Sequence, residues 1–187
     1  MQSAIRRAGS DRVSPLRLGM LVFLASDLML FAGLFAAYFT LRAETDPWPP
    51  ADVRLEVVRA TVATAILVAS SFTLLAGMRS RSVAGMTRWI AVTVLLGLAF
   101  LGVQLVDWLT VDFSVSTHAY GTLFFAMTGF HGAHVLAGIL LMLVVLGRAR
   151  QGAYRDGDRD GPEAVGYFWH FVDVVWIGLW ATLFLLQ

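Results

Sequence analysis

The sequence predicts an all-α, polytopic membrane protein: a bundle of five transmembrane helices with its N-terminus cytoplasmic and its C-terminus outside. Three observations carry this prediction. Hydrophobic residues make up 58% of the 187 residues and charged residues only 14%. The mean hydropathy of +0.71 is far above the soluble range. The apolar residues fall into five runs, about Leu18–Leu41, Ala60–Met78, Trp89–Leu109, Tyr120–Gly147 and Val165–Leu186. Arginine, finally, is abundant in alternate segments between the runs and scarce in the others. Residues 1–187 therefore read as one integral membrane domain, with no room for a large soluble one.

Each run reaches the length of about 20 residues that crosses a hydrocarbon core of about 30 Å. Backbone in lipid must satisfy its own hydrogen bonds, so runs this unbroken must be helices. The first is too long for a secretory signal and four more follow, so it reads as a retained helix. It carries Asp27 and ends before Asp46-Pro47-Trp48-Pro49-Pro50. The second carries Ser70, Ser71 and Thr73, side chains that hydrogen-bond between membrane helices. Arg79-Ser80-Arg81 separates it from the third, where Gln104 and Asp107 near the outer end read as wetted. The fourth lies in a stretch without arginine or acid from Ser114 to Gly147 and holds His131 and His134. The charge mixture from Arg155 to Glu163 reads as a solvated loop. The fifth run carries His170 and Asp173, with Trp169, Trp176 and Trp180 along one side for packing or a partner.

Orientation follows from the arginines in the short flanks. Arg6, Arg7, Arg12, Arg17, Arg79, Arg81, Arg88, Arg148, Arg150, Arg155 and Arg159 fall on one side, against Arg42, Arg54 and Arg59 on the other. The first side is read as cytoplasmic, which puts Trp48 and Trp108 near the outer interface. All basic residues are arginine, and there is no cysteine. Disulfides, thiolate nucleophiles and Cys-ligated metals are thereby excluded. The chain has no phosphate-cradling glycine loop, no serine nucleophile motif, no nucleic-acid patch and no internal repeat.

Ionisable groups in the middle of membrane spans are costly and need a reason to be there. At 1.5 Å per residue, Asp27 lies about 14 Å, Asp173 about 12 Å and His134 about 20 Å from the cytoplasmic end of their spans. His131 with His134, and His170 with Asp173, are spaced i, i+3 and so share a helix face. Gly129, Gly132 and Gly138 lie on or near the face of the first pair, where small residues let a neighbouring helix approach. Three readings of these groups stay open. They tie helices together; they handle protons or bind a lipid headgroup; or the histidines ligate a metal or haem, for which the chain offers no tight ligand cluster beyond the i, i+3 pairs. The cost of leaving such groups unpaired leads to one expectation, a buried cluster of Asp27, His134 and His170 locking the first helix to the last two.

Two strings carry a resemblance: YGTLFFAMTGFHGAHVLAG from Tyr120 to Gly138, and WHFVDVVW from Trp169 to Trp176. Phe23-Leu24-Ala25-Ser26-Asp27, Leu30-Phe31, Ala69-Ser70-Ser71-Phe72-Thr73, Gln104 and Asp107-Trp108 support them in the same order along the chain. The chain resembles subunit III of the haem–copper terminal oxidases (the cytochrome c oxidase subunit III family) in its short five-helix bacterial form. The resemblance implies a bacterial plasma-membrane protein of aerobic electron transport, directly partnered by subunit I and accompanied by subunit II. Such a subunit has no active site and no cofactor of its own. Haem and copper belong to its partners, which reduce oxygen and translocate protons. It implies support of proton uptake by buried polar positions at Asp27, His131, His134, His170 and Asp173, and bound phospholipid near Arg148 and Trp176. Relatives often have Ser-Glu where this chain has Ser26-Asp27, a form also familiar among quinol oxidases, and a related subgroup accompanies nitric oxide reductases. A rival from another class is a stand-alone proton-coupled transporter.

Overall fold

The computed structural model describes residues 14–51, 53–154 and 158–186. Arg6, Arg7, Arg12 and Arg155, counted above for orientation, lie outside the described residues. Within them run five long helices: α1 (Pro15–Glu44), α2 (Val57–Arg79), α3 (Val83–Thr110), α4 (Ala119–Arg150) and α5 (Asp160–Trp180). A single π-helical turn, Ala181–Leu185, continues α5. All five are long and apolar enough to cross a membrane.

α1, α3 and α4 begin before their apolar runs, each at a polar side-chain cap rather than at the first apolar residue. Ser14 accepts from the Arg17 amide with Pro15 at the first helical position. Ser82 accepts from the Gly85 amide at 3.0 Å, so α3 opens at Val83 rather than Trp89. The ring of His118 accepts from the Gly121 amide at 2.8 Å and starts α4.

From α2 onwards, successive helices pack as neighbours, α2 and α3 most tightly, and α5 also packs against α1 and α2. Accordingly α5 is the most buried helix and α1, which lies against α4 and α5, the least. The centre of the bundle is Trp169, which is fully buried. Its Nε1–H donates to Ser70 Oγ on α2 at 2.9 Å. A Cβ at Gly97 of α3 would lie 2.8 Å from the indole Cη2, and one at Gly138 of α4 2.7 Å from Cε3. One indole thus engages three helices, and two of them carry glycine where it passes.

The arginine-rich end is tied by charge. Arg17 pairs with Asp160, and with Glu163 at 2.8 Å. Arg159 donates to the Met78 and Ser80 carbonyls at 2.7 and 2.6 Å, filling orphan acceptors at the end of α2. The segment before α5, expected to be solvated, is in its described part a clamp joining α1, α2 and α5. At the other end Arg59 bonds to Asp107 and to Thr110 Oγ1. There Tyr38 and Tyr120 donate to the Thr182 and Leu183 carbonyls of the π-helical turn, at 3.2 and 3.3 Å. That wider turn offers carbonyls which side chains from α1 and α4 can reach.

Candidate functional site: buried carboxylate and imidazole contacts

Asp27 lies on the buried stripe of α1 with Leu24, Phe31 and Tyr38, whose spacing is that of one helix face. It therefore faces the bundle, and its Oδ2 stands 3.3 Å from His134 Nε2 on α4. His134 Nδ1 lies 2.6 Å from the Phe130 carbonyl oxygen. A carbonyl only accepts, so Nδ1 carries its hydrogen. Oδ2 and Nε2 are close enough for an ionic contact but are not aligned as a hydrogen bond, and Oδ2 has no other polar partner among the described residues. Phe31, edge-on at 5.2 Å, and Phe168, stacked at 6.2 Å, cover the imidazole. Beside this pair, towards the arginine-rich end, runs an apolar groove of about 470 Å³ lined by Met20, Phe23, Ala137, Leu140, Val144 and Phe168.

The second contact joins α5 to α2. Ser71 Oγ lies 2.9 Å from His170 Nδ1 and also bonds Asp173 Oδ2. A hydroxyl has one proton to give. With Asp173 ionised, Ser71 gives it to the carboxylate and His170 Nδ1–H donates to Oγ, which fixes the tautomer. Two further bonds, Trp169 to Ser70 and Trp176 Nε1–H to Thr64 Oγ1 at 2.9 Å, extend this seam along the same helix pair.

His131 stands apart from both. It is fully buried, its ring between Phe100 at 5.6 Å and Trp176 at 4.7 Å, and neither ring nitrogen has a hydrogen-bond partner among the described residues.

The expected cluster of Asp27, His134 and His170 does not form. His134 meets Asp27, whereas His170 turns to α2, since it sits beside Trp169 and one turn before Asp173, which bond the same helix. His131 and His134 also diverge despite their spacing, one toward α3 and α5 and the other toward α1. Gln104 and Asp107 are not simply wetted. Gln104 is buried and donates to the Thr128 carbonyl at 2.7 Å, and Asp107 pairs with Arg59. Gly132 and Gly129 face Gln104 and Trp108, and so belong to the α3 interface. Trp176, expected against lipid, is 4% exposed and packs inside the bundle, because its indole is taken up by Thr64, Phe100 and His131. Arg148 is exposed, with its guanidinium 5.9 Å over the Tyr154 ring, one turn beyond Val144 of the groove.

Three ties were not foreseen from sequence: Ser71 as the bridge between His170 and Asp173, Thr64 as the acceptor for Trp176, and the Arg17 clamp. A signal for the last was available, since alternating spans bring Arg17 and Asp160 to the same end. Among the described residues no three metal-ligating side chains converge.

These features define a multi-pass membrane protein, a five-helix bundle whose deep carboxylates and imidazoles mostly join one helix to another. The family model described as cytochrome c oxidase subunit III matches residues 9–187, and the chain belongs to that family. A cytochrome c oxidase subunit 3 from Thermostichus vulcanus is 42% identical, over 90% of this chain and 86% of its own length. One from Corynebacterium diphtheriae is 40% identical over 100% of this chain and 96% of its own. A probable cytochrome c oxidase subunit 3 from Nocardia farcinica is 38% identical over 95% and 91%.

Proposed function

We propose that this protein is an accessory subunit of a bacterial respiratory terminal oxidase. It packs beside the catalytic subunit I and holds no redox centre of its own. The observation that carries the reading is the family match across residues 9–187, which takes in both intramembrane contacts. Oxygen reduction and the haem and copper centres belong to the partner subunits. Cytochrome c is the electron donor of choice, supported by the names of the relatives above. The arginine-rich end faces the cytoplasm, in keeping with the positive-inside rule.

The chain's own residues supply position and a buried polar contact. The Asp27–His134 contact sets a carboxyl group beside an imidazole in the middle of the bundle, and in this way supports proton uptake by the partner. His170 and Asp173, bridged by Ser71, hold α5 to α2, and His131 fills the centre. The groove beside His134 takes an acyl chain and Arg148 the phosphate above it. This is supported by the apolar lining and by the place of Arg148 one turn beyond Val144.

The test is a mild-detergent pull-down of the tagged chain, with visible difference spectra and mass spectrometry of the eluate. Haem a bands with subunits I and II present are expected. A colourless chain without partners would overturn the reading and bring the transporter forward.

A further inference from the structure

A second groove, of about 530 Å³, opens at the arginine-rich end between α3 and α4, away from the groove beside His134. Its walls are Ala84 and Ala91 of α3 with Leu146 and Ala149 of α4, and its rim carries Arg88 and Arg150. Both arginines are exposed. Elsewhere at this end Arg17 is held by Asp160 and Glu163, and Arg159 by the Met78 and Ser80 carbonyls. Among the described residues neither Arg88 nor Arg150 makes an ion pair. Asp160 and Glu163 on this side are taken by Arg17, and Asp158 accepts from the Asp160 amide. Two cations on one rim repel each other until an anion lies between them.

The shape says which anion. Ala84 and Ala149 stand level with the arginines or outside them, while Ala91 and Leu146 line the groove about one turn further into the span. Trp89, 41% exposed next to Arg88, marks headgroup depth. A cationic mouth over an apolar trough matches a charged head with a hydrocarbon tail. Guanidinium groups bind a phosphodiester through paired N–H donors, and basic pockets between membrane helices favour anionic headgroups. We infer that the groove between α3 and α4 is a binding site for an anionic phospholipid. Its phosphate lies between Arg88 and Arg150, and one acyl chain rests on Ala91 and Leu146. This inference needs only the membrane-embedded bundle, so it stands or falls apart from the identity of the oxidase partners.

The experiment is native mass spectrometry of the full chain, in whatever complex it purifies with, after delipidation and titration with dioleoyl phosphatidylglycerol or dioleoyl phosphatidylcholine. Wild type is expected to retain phosphatidylglycerol in preference to phosphatidylcholine. At the usual worth of one arginine at a membrane surface, R88Q or R150Q should weaken the site about fivefold and the double variant about thirtyfold. R81Q, a neighbouring arginine outside the groove, should leave it unchanged. Competition by millimolar inorganic phosphate that leaves no lipid preference would assign the site to the free anion and overturn the lipid. Equal retention of the two lipids by wild type, or unchanged phosphatidylglycerol retention in R88Q/R150Q, would overturn it too. So would loss of a partner subunit from the double variant with lipid retention intact, which would make the groove a protein interface.

Discussion

Gly138→Ala should destabilise the bundle while Gly102→Ala should not, and the difference can be worked from the position of one indole. A Cβ at Gly138 would sit 2.7 and 3.0 Å from Cε3 and Cζ3 of Trp169 and 3.2 Å from Phe168 Cε1. Those are rigid ring atoms, and Trp169 has little freedom to retreat. Its other edge meets Gly97, where a Cβ would be 2.8 Å from Cη2, and its Nε1 is bonded to Ser70. Overpacking of this kind costs about 1–3 kcal/mol. Gly102, also in a helix, has nothing within 4 Å of its Cβ position. Both substitutions gain the same alanine helix propensity, about 1 kcal/mol at most, which cancels when they are compared. Each kcal/mol moves the midpoint of a chain this size by about 2–4 °C, so the two should melt about 2–12 °C apart with Gly138→Ala lower. Tryptophan fluorescence during thermal unfolding of the detergent-purified protein reads this directly. A Gly138→Ala midpoint equal to or above that of Gly102→Ala would refute the account of Trp169 as the centre of the fold.

Asp27→Ala strips His134 of its partner inside the bundle, at a cost of about 1–3 kcal/mol, or about 5- to 150-fold in retention by the purified complex. Asp27→Asn should fall between, since an amide N–H still donates to an unprotonated Nε2; retention of Asp27→Ala equal to that of the exposed control Asp158→Asn would sink the pairing. Ser71→Ala leaves His170 and Asp173 without their shared hydroxyl and should lower the melting midpoint by about 2–12 °C. Ser26→Ala, an exposed hydroxyl bonded only to the Val22 carbonyl, should change it by less than about 2 °C, and equal shifts would remove the bridge. Arg17→Gln should speed hydrogen exchange at the start of α5, and molar salt should do the same to wild type because exposed pairs are screened; exchange unchanged in both would show that the clamp does not hold that end.

The spans were legible because runs of about 20 apolar residues in lipid have no alternative to helix. The hydroxyls of the second span were legible too, as Ser70, Ser71 and Thr73 all bond across helices. Partners of the deep ionisable groups were not. An i, i+3 spacing says that two side chains lie within a sixth of a turn, but α4 has three neighbours, and that small angle is enough to send His131 and His134 to different ones. Depth misled at Gln104: nearness to the end of a span suggests water, yet the amide is buried and donates to the Thr128 carbonyl across the interface. Trp169 shows the limit most plainly. Gly97 and Gly138 mark its seat, but they lie on different helices, and only their juxtaposition in space gives them that meaning.

The placement of α1 is the least secured feature of the bundle, and that makes it the point where lipid and protein contacts should compensate. α1 is tied to α4, α5 and the π-helical turn at three heights: Arg17 to Asp160 and Glu163, Asp27 to His134, and Tyr38 to the Thr182 carbonyl. The rise per residue sets these ties about 15 Å apart. Between the first two, α1 and α4 stand apart and the groove beside His134 opens. Lipid tails are as apolar as the helices, so nothing but packing and polar contacts drives α1 home. An acyl chain in the groove would supply the van der Waals contacts that α1 lacks there. Removing the lipid and removing the Asp27–His134 contact should therefore cost more together than the sum of each alone, as expected of supports that share one element. Retention of the subunit, measured for wild type and Asp27→Ala before and after delipidation, gives the four corners of that cycle. Strictly additive losses would mean that groove occupant and buried pair hold α1 independently, and the compensation argued here would fall.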